Sequence, residues 1–150
     1  MTLTLKAVQR MLDAAIQKAE SIQIRIAVAI VDAGGHVILK ARMDGAWFLT
    51  ADICEGKAYT AVALQRTTEQ FAEKVAVPRP QFYAGLAALS EGKLIAAGGG
   101  VPITQKGEMV GAIGVSGGTP EQDIECATAG LATLCTRSRG RRLPPTCPSR

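Results

Sequence analysis

The chain has 150 residues, a formal charge of +4 and 47% apolar side chains, the size and balance of one globular domain with a core of its own. Its longest apolar stretches, such as 26–31, fall far short of the roughly 20 residues that span a bilayer, and the start MTLTLKAVQR lacks the apolar middle of a signal peptide, so a cytoplasmic protein with no membrane partner is expected. Five of the 17 basic residues (Arg137, Arg139, Arg141, Arg142 and Arg150) follow Cys135, leaving 12 basic against 13 acidic residues before them, so nucleic acid is not an expected partner either.

Thr4 is placed to cap a helix in which Leu5, Val8, Leu12, Ala15, Ile16 and Ala19 recur at the three-and-four spacing of one buried face. Two β-branched runs, 24–31 and 36–43, are joined by Asp32-Ala33-Gly34-Gly35 and read as a hairpin buried on both faces. After a second turn at Asp44-Gly45, a helix is predicted from near Thr50 to Gln65. Gly56 inside it costs about 1 kcal/mol against alanine and marks a close helix contact. A short amphipathic piece over 67–76 ends before Pro78, whose ring disfavours helix at the residue before it, and 78–86 reads as a loop or short helical turns. A short strand at 94–96, the triplet Gly98-Gly99-Gly100, and strands over 101–105 and 108–115 around Lys106-Gly107 follow. The order predicts an α/β (α+β) fold, one mostly antiparallel sheet of about five strands flanked by helices. The last helix ends near Cys135, and the Pro/Arg-rich tail over 136–150 carries too little apolar surface to order itself.

The stretch GVSGGTPEQD, 114–123, sets two glycines ahead of a helix start, where a phosphate cradle would sit. Thr119 as N-cap, Pro120 in the first turn and Gln122 three residues after Thr119 form a capping box that satisfies the orphan donors internally. Glu121 and Asp123 add negative charge where an anion would bind. The glycines are therefore turn residues. Four cysteines without a CxxC pair or a histidine at ligand spacing argue against zinc, and those in helical patterns are expected as small buried hydrophobes.

His36, the single histidine, directly follows Gly34-Gly35 and has two readings: an axial ligand for haem iron, or a solvated hairpin residue. Asp32 and Asp44 either cap turns or contribute to a site, and Arg42 pairs either an anionic group such as a propionate or a local carboxylate. The aromatics Trp47, Phe48, Phe71, Phe82 and Tyr83 line a pocket or pack the core.

Four segments, VAIVDAGGHVILKARMDGA, KAYTAVAL, GGGVPI and GEMVGAIGVSGGTPEQD, resemble in order and across residues 2–135 the GlcG/HbpS family of haem-degrading or haem-binding domains, which also forms the C-terminal part of some corrinoid adenosyltransferases. The resemblance implies a profilin-like fold, homo-oligomers reaching octamers, and a haem cofactor held by a carrier, sensor or weakly haem-degrading protein. It places the matching positions at Asp32, Gly34, Gly35, His36, Arg42, Met43, Asp44, Gly45, Lys57, Gly99, Gly100, Val101 and Pro102. His36 is the implied iron (metal) ligand, with Arg42 or Lys57 available to propionates. The alternative is an accessory or enzymatic protein of organic acid or aldehyde catabolism, binding a small metabolite through Asp32, Lys57 and Asp44.

Overall fold

The computed structural model describes residues 2–135; the tail expected over 136–150, with Cys147, lies outside the described residues. Helix α1 (Leu5–Ser21) is followed by strands β1 (Ala27–Asp32) and β2 (Val37–Arg42), helix α2 (Thr50–Leu64), the single turn α3 (Thr68–Phe71), which runs into a π-helical turn over Ala72–Ala76, helix α4 (Pro80–Leu89), strands β3 (Gly100–Gln105) and β4 (Glu108–Ser116), and helix α5 (Pro120–Cys135). The strands form one antiparallel sheet in the order β2-β1-β4-β3.

Side chains alternate across a strand, so β1 and β4 feed two different layers. Val28, Ile30, Ile113 and Val115 face α1 and α5, where they pack with Val8, Met11, Ala15, Cys126 and Ala127. The opposite face carries Ala27, Ala29, Val31 and Ala112 against Cys54, Ala58 and Ala61 of α2. That second face is built from small residues because α2 lies close on the sheet. A Cβ at Gly114 would collide with the Cys54 carbonyl oxygen and stand 2.6 Å from the Ala58 nitrogen. The result is three layers, with α1 and α5 on one side of the sheet and α2 on the other.

The structure corrects the predicted elements in three places. The sheet has four strands, not five: 94–96 runs as irregular chain, because the Leu94 and Ile95 N–H groups donate to the Ser90 and Thr60 hydroxyls instead of to a neighbouring strand. The hairpin is not buried on both faces. β1 is central and all but sealed, whereas β2 is the sheet edge and half open to solvent. The stretch 78–86, expected as a loop or short helical turns, belongs from Pro80 onward to a regular ten-residue helix, since Pro80 sits at the first helical position, where its missing N–H costs nothing. The capping box is present: the Thr119 hydroxyl accepts from the Gln122 N–H at 3.3 Å, and the Gln122 side chain accepts from the Thr119 N–H at 2.9 Å. Cys54 and Cys126 are buried free thiols, pushed up to about 12 and about 11 by burial. Among the described residues no helix is long and apolar enough to cross a membrane.

Replacing Gly114 by alanine forces α2 off the sheet. The expected loss is about 1–3 kcal/mol or more, read as a lower urea midpoint with an unchanged slope; an unchanged midpoint would contradict this packing.

Candidate functional site

The chain turns from β1 to β2 through a locked loop. The Asp32 carboxylate accepts from the N–H groups of Gly34 at 2.8 Å and His36 at 3.0 Å, and the Gly35 N–H donates to the Asp32 carbonyl. Gly35 adopts φ +82°, a backbone favouring glycine, and a Cβ there would stand 2.9 Å from the Tyr59 ring of α2. His36 is thereby placed at the outer end of the sheet edge, its side chain 83% exposed and its Nδ1 3.4 Å from Asp32 Oδ1. The Asp32 carboxyl is held below the ordinary carboxylate range, first by the His36 N–H.

This turn forms one wall of a cleft of about 900 Å³. The second wall is the face of α2 that carries Asp52, Ile53, Gly56 and Tyr59, with Leu49 just before the helix, and the third is the segment Glu91–Ile95. Gly56 admits that segment, since a Cβ there would lie 2.6 Å from Ile95 Cγ1. Lys93 brings a cation to 5.7 Å from the centre of the Tyr59 ring. The lining thus combines an exposed imidazole, an aromatic ring, the apolar side chains of Leu49, Ile53 and Ile95, one ammonium group and the carboxylates of Asp52, Glu55 and Glu91, in a volume typical of small-molecule sites. Among the described residues no cluster of three or more His, Cys, Asp or Glu side chains is grouped to hold a bare metal ion.

Gly34, Gly35 and His36 come together in this cleft, and the other candidates lie elsewhere. Arg42 is exposed at the far end of β2, paired across the sheet with Ala27. Lys57 points the opposite way, into the protein: its ammonium, 4% exposed, donates to Asp123 Oδ2 at 2.7 Å and to the Val115 carbonyl at 2.9 Å. Gly99 and Gly100 pack around this lysine. A Cβ on Gly99 would lie 3.1 Å from its Nζ, and one on Gly100 would strike its backbone carbonyl. Asp123, whose carboxyl is pushed upward by burial against the pull of Lys57, also accepts from the Gly118 N–H at 2.9 Å. The residues missed from sequence are Tyr59, Lys93 and Asp123. The first two are signalled only by folding α2 and 91–95 onto the turn, and the third by the lysine 66 positions earlier.

The fold is a small α+β domain with an open cleft beside its sheet edge. Residues 3–132 match the family described as haem degrading protein HbpS-like, and the chain belongs to that family. It is similar, at 39% identity over 87% of this chain and 90% of the relative, to an uncharacterized 15.0 kDa protein from the dhaT-dhaS intergenic region of Citrobacter freundii. Among solved structures it resembles the Klebsiella pneumoniae protein ORFY (35% identity, TM-score 0.84, covering 92% of this chain and 94% of that one). It also resembles a protein solved as a PduOC:haem complex (31% identity, TM-score 0.81, covering 89% and 95%).

Replacing Lys57 by methionine strands a buried carboxylate, and a loss of about 3–5 kcal/mol is expected. The double variant Lys57→Met, Asp123→Leu is expected to recover much of it in chemical denaturation. A double variant no more stable than the single one would show that the pair does not act as a unit.

Proposed function

We propose that this chain binds haem in the cleft, with His36 as the iron ligand. The observation that carries the reading is the placement of the chain's single histidine, exposed and held by a locked turn, on the wall of a cleft that also presents the Tyr59 ring, three apolar side chains and the Lys93 ammonium, with the carboxylates of Asp52, Glu55 and Glu91 in its lining. That donor set suits a porphyrin: a neutral nitrogen for iron, flat apolar contact for the ring, and an ammonium for a propionate. Haem supplies the redox chemistry when bound; the protein positions it and controls access. Gly34 and Gly35 bring the backbone close, Tyr59 offers a ring face, and Lys93 takes the propionate role in place of Arg42 and Lys57, which lie outside the cleft lining. The haem complex of the similar PduOC protein supports the same reading. The alternative, a small organic acid or aldehyde held by Asp32, Asp44 and Lys57, has weaker support, because Lys57 is sealed against Asp123 while Asp44 is exposed in a turn.

Hemin titration is expected to give a Soret band saturating at one haem per chain. His36→Ala is expected to shift the band and weaken binding about tenfold or more, the loss of one coordinate bond outweighing the remaining contacts. Lys93→Met is expected to weaken it only a few-fold, as befits an exposed ion pair. A spectrum unaltered in His36→Ala would remove that residue from the role.

We further propose that the domain is residues 1–135, consistent with a family match ending at 132, and that it forms a homo-oligomer. Trp47 and Phe48 are 83% and 78% exposed, and Leu89 of the uncharged helix α4 is equally open, apolar side chains that a second copy would cover. Light scattering after size exclusion is expected to give a multiple of the chain mass, up to an octamer, and a smaller species for Trp47→Ser with Phe48→Ser. A wild-type monomer would overturn the proposal.

A further inference from the structure

We infer that Asp32 is a positioning residue for His36, holding the imidazole with its Nδ1 proton turned toward the carboxylate so that Nε2 is the nitrogen presented outward as electron-pair donor. The inference deepens the haem reading and rests on it only for the identity of the acceptor, a ferric porphyrin.

Three observations converge. First, the carboxylate is itself fixed, because Oδ1 accepts from the N–H groups of both Gly34 and His36, so it does not swing with solvent. Second, His36 Nδ1 lies 3.4 Å from that same oxygen. An unprotonated Nδ1 would set its lone pair against those of the carboxylate, whereas a protonated one is attracted, so the contact selects the Nδ1–H tautomer. Third, Gly34 leaves room for this ring placement: a Cβ there would stand 2.9 Å from His36 Nδ1, 3.1 Å from Cε1 and 3.3 Å from Asp32 Oδ1. Gly34 has an ordinary φ, since only Gly35 of the pair adopts a left-handed backbone. Its missing side chain therefore serves the ring rather than the fold of the turn. A carboxylate behind a ligating imidazole fixes its orientation and raises its basicity.

The test reads the tautomer directly, by long-range proton–nitrogen correlation NMR on the haem-free protein at a pH where the imidazole is neutral. The wild type is expected to be mainly Nδ1–H. In Asp32→Asn the amide oxygen still accepts from Gly34 and His36, which keeps the turn, but the charge is gone, and the ratio is expected to fall several-fold toward Nε2–H. Gly34→Ala is expected to do the same with the carboxylate intact, by pushing the ring away from it. In the haem-loaded protein, Asp32→Asn is expected to raise the ferric/ferrous midpoint potential, since the ligand becomes a weaker donor. A wild type that is mainly Nε2–H, or a ratio unmoved in both variants, overturns the inference, and the wild-type measurement decides even if a variant fails to fold. An Nδ1–H wild type that gives no Soret band supports the positioning and sinks the haem reading. A Soret band with an Nε2–H wild type does the reverse.

Discussion

The buried pair between Lys57 and Asp123 is the constraint on which the rest of this structure depends. It joins α2 to α5, two helices on opposite faces of the sheet, and it also takes in the Val115 carbonyl at the end of β4 and, through Asp123, the Gly118 N–H. Two charges removed from water are costly, and their attraction offsets that cost only when every remaining donor and acceptor is satisfied. That condition is met: among the described residues no buried side-chain nitrogen or oxygen lacks a partner. Gly99 completes the arrangement by leaving space where a side chain would meet both Asp123 Cβ and the ammonium.

This internal pair also decides what α2 shows to the outside. With Lys57 fixed inward and Ala58 and Ala61 on the sheet, the residues at 52, 53, 56 and 59 share the opposite face by helical spacing, and that face is the cleft wall. The exposed Lys40–Glu55 contact at 2.6 Å then ties the outer part of α2 to the edge strand that follows His36. The rotation of one helix about its axis thus places Tyr59 against the Gly35 backbone and leaves Gly56 open to Ile95. The positions of ring and glycine are two readings of a single angle.

Local signals were legible in the sequence wherever local physics decides the outcome. The three-and-four spacing of Val8, Ala15 and Ala19 defined α1, and Thr119 with Gln122 defined the start of α5, because a capping box is closed within four residues. The double glycine before His36 marked the turn for the same reason. Helix α4 was obscure because it buries no residue, so its apolar side chains follow no face. Leu94 and Ile95 look like strand, but their N–H groups are taken by hydroxyls 4 and 35 positions away. Lys57 looked available for an anion because nothing near it in sequence reveals Asp123. Of the candidate cleft, the turn was readable; the opposite wall exists only once α2 and 91–95 meet.

The position of the β1–β2 turn at the outer end of an edge strand has a bearing on how such a domain diversifies. None of its side chains supports the two core layers, and the hydrogen bonds that shape it are confined to residues 32–36. Exchanging the side chain at position 36 therefore leaves folding almost untouched, so this corner can change its chemistry while the scaffold behind it stays constant.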